Sequence, residues 1–309
     1  MGIAARVFPA RHTGKHHVLN RAVSESSPQP ARPGLAISLS SSFFGFYCHA
    51  GFMAELHRQG VFPEQLAGAS SGALTAVLCG AGLQGRALED FIFQPGVRRS
   101  VFDWGWLWRL PGIFTHTYGT GILSGNNIVR YLNKKFGKRR IEDMHSPRVQ
   151  IAVTNLTDKC LDIVSEGDAF EYAVASSAVP GLFQARRIDG RLCCDGGTVD
   201  VNPFEHWLDA PDVETIVLHE IVHEADSRPK APGGATNFTV AMALCHEIMS
   251  DQLLSYRLRL AQGSGKRVIH IRTMAPHPGF FPRHTRRILQ QRGRESAMRL
   301  CDQLREVTK

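Results

Sequence analysis

The chain has 309 residues, 43% of them hydrophobic and 21% charged, which excludes a disordered or collagen-like protein and fits one large domain or two small ones. No apolar run nears the roughly 18 residues of a spanning helix. Seven scattered cysteines without a C-x-x-C pair suggest neither a zinc site nor a disulfide framework, but a reducing compartment. The net charge of +8 is uneven: residues 1–33 carry +4 and residues 263–309 carry +8, so the stretch between them is mildly acidic. Basic ends attract anionic lipid or nucleic acid, or are simply solvated tails.

Residues 1–33 are rich in Ser, Pro, Arg and His and carry no sustained period, so they read as a mobile basic leader. No apolar stretch follows the first basic residue, and Arg6 stands where myristoylation needs Ser or Thr. The expected location is therefore cytoplasmic, with peripheral contact at an anionic membrane surface as the option the basic ends allow. Leu35-Ala36-Ile37-Ser38-Leu39 reads as a buried strand, followed by a Ser/Phe/Gly turn and a helix through Phe52, Leu56 and Gln59 that stops at Gly60. A second strand ends near Leu66, and a Gly-rich turn leads into an apolar helix over 73–81. This alternation predicts parallel pairing and an α/β fold.

The middle of the chain is less regular. A helix is expected over 86–93, and another over 126–135 with Ser124 as its N-cap. Trp104, Trp106 and Trp108 form a cluster that is either a lid or membrane anchor, or core packing. Strands over 149–154 and 161–164 flank a turn at Thr157-Asp158-Lys159, and Asp168 caps a helix through Ala175. A strand over 215–219, a long helix over 238–260, a strand over 268–271 and a basic amphipathic helix over 286–306 follow. The organisation expected is a leader (1–33), one α/β domain (34–283) and a C-terminal helix (284–309).

Gly68-Ala69-Ser70-Ser71-Gly72 fits G-x-S-x-G between a strand and a helix, the setting of a nucleophile elbow. Ser70 has glycines on both sides, and the N–H groups of the helix start face a developing oxyanion. The plainer alternative is a Ser-capped helix after a glycine turn. Ser40-Ser41-Ser42-Phe43-Phe44-Gly45 leaves the first strand through small residues whose amides can bind an anion. It can equally be an ordinary strand-to-helix loop. Cys194-Asp195-Gly196-Gly197 ends a strand-turn-strand unit, so Asp195 is either a base within reach of Ser70 or an acid in a tight turn. His206, His219, His223, His246 and His270 carry no loop signature of a triad, and His219 with His223 lacks a third metal ligand.

Taken together, these elements resemble the patatin-like phospholipase family: an oxyanion turn after the first strand, a G-x-S-x-G elbow and a D-G-G/A acid motif, in that order. Residues 175–183 also look like the family's A-S-x-A-x-P-x-x-F segment, and Asn202-Pro203 like its N-x-P element. The resemblance spans about residues 34–221. It implies a three-layer α/β/α sandwich with a mostly parallel central sheet. It also implies a Ser70–Asp195 dyad that hydrolyses fatty-acyl esters of phospholipids or lysophospholipids through an acyl-enzyme. On that reading Ser41, Ser42 and Ser71 supply oxyanion amides, and Gly45, Gly68, Gly72, Gly196 and Gly197 are motif glycines. No cofactor, metal or nucleic-acid partner is implied. The family turn is usually G-G-G-x-R/K-G; here its glycines are serines, Phe44 holds the basic position and only Gly45 remains. A catalytically weak or inactive lipid-binding protein of the same fold is the alternative.

Overall fold

The first strand, β1 (Arg32–Leu39), lies inside the sheet, and its residues from 35 onward are buried on both faces. That double burial explains its unbroken apolar run. The computed structural model describes residues 31–114, 119–224, 238–276 and 283–306, so the expected leader lies outside it up to residue 30. From β1 the chain passes through α1 (Phe46–Arg58), β2 (Pro63–Ala69), α2 (Ser71–Gly80), α3 (Gly85–Ile92), α4 (Pro95–Ser100) and α5 (Trp106–Phe114). The short β3 (Gly121–Leu123) and α6 (Asn126–Phe136) precede β4 (Arg148–Asn155), β5 (Cys160–Val164) and α7 (Ala169–Ala175). Then come β6 (Gly181–Phe183), the hairpin β7 (Arg186–Ile188) and β8 (Arg191–Asp195), and β9 (Thr215–His223). Helix α8 (Phe238–Ala261), β10 (Arg267–Ala275) and α9 (Arg283–Glu306) close the chain.

The main sheet has eight strands in the order β10-β9-β1-β2-β4-β8-β7, with β5 added on β4. The five strands from β10 to β4 are parallel, and β5, β7 and β8 pair antiparallel. The expected mostly parallel α/β/α sandwich is what the chain forms. Leu35, Ile37 and Leu39 point into one core with α1, α2 and α9, while Ala36 points into a second with Phe204, Trp207 and Leu254 of α8. The alternation follows from the period of two along a strand. Helix α9 sits directly on α1: a β-carbon at Gly51 would meet the Gln290 carbonyl oxygen at 2.1 Å, and one at Gly293 the Cys48 carbonyl oxygen at 2.0 Å. Its stripe of Leu289, Ala297, Leu300 and Leu304 belongs to the larger core.

Two local expectations differ from the structure. The cap of α6 is Gly125 in the left-handed region (φ +71°), not Ser124. The Ser124 N–H and hydroxyl both donate to Asp103 Oδ2, at 2.8 and 3.0 Å, while its Oγ still accepts from the Asn126 N–H at 3.3 Å, one position outside the cap. The tryptophan cluster is surface, not core: Trp104 is 88% and Trp108 83% exposed. The expected cap at Asp168 does form, its carboxylate accepting from the Phe170 and Glu171 amides.

Candidate active site

The position of the site follows from the pairing along β4. One edge of β4 is taken by β5 over residues 151–155. On the other edge β2 pairs with residues 148–152 and β8 with residues 153–155. The two strands therefore meet end to end: Ala69 pairs with Ala152, and Asp195 with the next residue, Val153. Ser70, one step beyond β2, and Asp195, the last residue of β8, are brought to the same point although 125 residues separate them. Parallel strands β1 and β2 also end here, at the carboxyl edge where open α/β sheets bind ligands.

Ser70 sits on the turn into α2 at φ +53°, a left-handed conformation that costs a non-glycine residue roughly 1–3 kcal/mol. The elbow glycines serve close approach. A β-carbon on Gly68 would lie 2.4 Å from the Gly72 carbonyl carbon, and one on Gly72 would lie 2.1 Å from the Leu39 carbonyl oxygen. Ser176 locks the turn to the sheet. Its hydroxyl accepts from the Ser70 N–H at 2.9 Å and donates to the Ala152 carbonyl at 2.6 Å. The Ser177 hydroxyl lies between two acceptors, the Ala173 carbonyl at 2.9 Å and the Ser70 carbonyl at 3.1 Å.

Asp195 is 3% exposed. Its Oδ1 accepts from the Gly197 N–H at 2.7 Å, and its Oδ2 is buried without a hydrogen bond of ordinary geometry. Burial pushes its pKa up to about 7, against the opposing pull of the Ser70 hydroxyl and the Gly197 amide. Gly196 and Gly197 are again required by space. A β-carbon on Gly196 would meet the Ala152 carbonyl oxygen at 2.1 Å, and one on Gly197 would meet Ser41 Oγ at 2.1 Å.

The serine-rich turn borders the same site with a different arrangement from the one expected. The Ser41 N–H is already paired with the Val201 carbonyl at 2.7 Å, so it is not offered to the cleft. Ser41, Ser42 and Ser71 all line the cleft, and Ser71, as the first residue of α2, has no acceptor one turn back in its helix. No serine of the turn takes a positive φ; Phe44 does, at +50°. Gly45 is held close, since its β-carbon would meet Ser42 Cβ at 2.7 Å.

The cleft has a volume of about 790 Å³, and its wall is largely apolar, with Phe44, Phe46, Leu74, Val179, Leu182 and Phe183 among the lining residues. Several lining or supporting residues have a place at the site that the sequence does not assign to them. Ser176 and Ser177 lie within the 175–183 segment, to which the resemblance assigns no role. His223 pairs with Ser42 Oγ through Nε2 at 3.0 Å, and His246 lines the mouth. Nothing local marked those two, because strand and helix histidines reach the site only through the fold. His219 turns away from any metal role, into a buried contact with His49 at 2.9 Å.

Residues 37–207 match the family described as patatin-like phospholipase, just over half of the chain, and the chain belongs to that family. Among curated proteins it is 26% identical over 189 residues to the lysophospholipase NTE1 of Saccharomyces cerevisiae, covering 61% of this chain and 11% of that protein. It is 28% identical over 177 residues to an uncharacterised NTE family protein of Mycobacterium tuberculosis, covering 56% of this chain and 45% of that one. The chain thus spans about a tenth of the yeast relative and under half of the mycobacterial one. Among solved structures, VipD from Legionella pneumophila shares the fold, with a TM-score of 0.51, 16% identity, and coverage of 88% of this chain and 68% of that one.

Proposed function

We propose that this chain is a serine acyl hydrolase that cleaves fatty-acyl esters of phospholipids or lysophospholipids through a Ser70–Asp195 dyad. The end-to-end meeting of β2 and β8 on one edge of β4 carries the reading, because it delivers an alcohol and a buried carboxyl to one apolar cleft. Asp195 takes the Ser70 proton as Oγ attacks the ester carbonyl carbon. The oxyanion is held by amides at the start of α2 and in the 40–45 turn, Ser71 and Ser42 among the cleft-lining candidates. Collapse breaks the ester C–O bond, and the leaving alcohol takes the proton from Asp195. Water, giving its proton to Asp195, then attacks the acyl-serine; fatty acid departs and the proton returns to Ser70. A carboxyl pKa near 7 narrows the gap to the alcohol and suits both directions of transfer.

The apolar wall suits an acyl chain, and the name of the yeast relative, a lysophospholipase, points the same way. Contact with a lipid surface is part of the proposal. Val101 lines the cleft, and immediately after it Phe102, Trp104, Trp106, Leu107 and Trp108 are exposed. Asp103 braces this segment by accepting from the Arg109 guanidinium at 2.7 Å and from Ser124. Indoles favour the boundary of a bilayer. Among the described residues no helix is long and apolar enough to cross a membrane. The test is covalent labelling with a fluorophosphonate probe. The native chain is expected to label and Ser70→Ala not to; equal labelling of both would remove Ser70 from the mechanism.

A further inference from the structure

Beneath the serine-rich turn runs a line of buried polar side chains for which the proposed chemistry gives no role. His49 Nε2 lies 2.8 Å from the Ser40 carbonyl oxygen, and His49 Nδ1 lies 2.9 Å from His219 Nδ1. His219 Nε2 lies 2.9 Å from Thr273 Oγ1, and Thr273 Oγ1 lies 2.6 Å from Ser296 Oγ. The Arg299 guanidinium donates to Ser296 Oγ at 2.7 Å. Ser40, His49, His219, Thr273 and Ser296 are all buried, and Arg299 is exposed. The Phe52 ring stacks on His219 with centroids 3.8 Å apart, which keeps water off the line.

The Ser40 carbonyl and a neutral His49 ring together fix the direction of every bond. A carbonyl only accepts, so His49 donates from Nε2. Burial lowers the His49 pKa to about 4, so the ring is neutral and its Nδ1 must accept. His219 therefore donates from Nδ1 and accepts at Nε2. Thr273 spends its single hydroxyl hydrogen on His219, so in the next contact the Ser296 hydroxyl donates. A guanidinium only donates, which agrees with the direction reached from the other end. All five bonds point from the surface of α9 to the Ser40 carbonyl, and bonds in such series polarise one another. The Ser40–Ser41 peptide passes the line on, because the Ser41 N–H donates to Val201, six residues after Asp195.

We infer that His49, His219, Thr273 and Ser296 form a one-way hydrogen-bond chain that sets the orientation of the Ser40–Ser41 peptide, and with it the alignment of the 40–45 turn against the acid segment. They are positioning residues, since none lines the cleft. The role rests on the proposed use of that turn in oxyanion binding. The chain spans α1, β9, β10 and α9, so the last helix takes part in holding the site.

The experiment pairs two readouts on the full chain. Nitrogen-15 NMR of the imidazoles is expected to show His49 protonated at Nε2 and His219 at Nδ1. His49 protonated at Nδ1 would overturn the chain without any variant being made. Thr273→Val removes the central hydroxyl at nearly constant volume. With p-nitrophenyl butyrate as substrate, kcat is expected to fall by about tenfold to a hundredfold with KM nearly unchanged, Thr273→Ser restoring it. Hydrogen exchange at the Ser41 amide is expected to speed up in Thr273→Val and recover in Thr273→Ser. Unchanged kcat and exchange in Thr273→Val, a loss confined to KM, or failure of Thr273→Ser to restore, would overturn the positioning role. Should the native chain not turn over the ester, the hydrolase reading fails by itself, and the tautomers and Ser41 exchange still decide this one.

Discussion

Two turns leave the carboxyl edge of adjacent parallel strands, and they solve the same problem differently. The 68–72 turn after β2 keeps both glycines, and each makes room for backbone that a side chain would strike. The 40–45 turn after β1 has serines where the resemblance to the family leads one to expect glycines. In both, the positive φ falls on a residue with a side chain, Ser70 in one and Phe44 in the other. Glycine in these turns is therefore a matter of space more than of backbone handedness. Where Ser41 takes up space, the chain returns it at Gly197, whose missing β-carbon leaves room for the serine hydroxyl. The departure in one motif is matched by a requirement in another, on a segment more than 150 residues away.

The strongest way to break this comparison is at the elbow. Ser70→Gly is expected to lower ester turnover by roughly 10⁴-fold or more. The same change should raise stability by about 1 kcal/mol, because glycine tolerates the left-handed conformation. A denaturant midpoint that falls instead would show that the elbow is not strained. Asp195 sharpens the contrast through pH. Its folded pKa is raised from 3.8 to about 7, so below about pH 4 it holds its proton in both states and shifts no stability. As pH rises toward 7 the unfolded chain releases that proton first, and the folded state loses up to about 4 kcal/mol. Asp195→Asn is expected to be inactive yet increasingly more stable than the native chain between pH 4 and 7. Native kcat/KM should fall as pH drops below about 7, where the base is protonated. Parallel melting curves across that range, without divergence, would contradict the buried carboxyl. The smallest effect is at the serine-rich turn. Gly197→Ala is expected to cost about 1–3 kcal/mol through its clash with Ser41, and adding Ser41→Gly should recover most of it. Purely additive losses in the double variant would mean that the two positions do not share the space.

Much of this was legible in the residues. The elbow, the acid motif, the hairpin before it and the cap at Asp168 are local patterns, set by steric and hydrogen-bonding preferences within a few positions. The apolar run of β1 announced a buried strand. The tryptophan segment left two readings open, because three indoles in five residues say nothing about what lies above them; its exposure depends on neighbours that never cover it. The engagement of the Ser41 amide was hidden for the same reason, since its acceptor is Val201, distant in sequence.

By itself the sequence determined which residues carry reactive groups, where chain direction reverses and how strands and helices alternate, because those depend on side-chain chemistry and short-range sterics. Only the tertiary structure decided that β2 and β8 abut on one edge of β4, which amides remain for the cleft, and which way the buried histidines point. Those outcomes depend on strand register and on hydrogen bonds between segments far apart in the chain, and neither is encoded in any single stretch of residues.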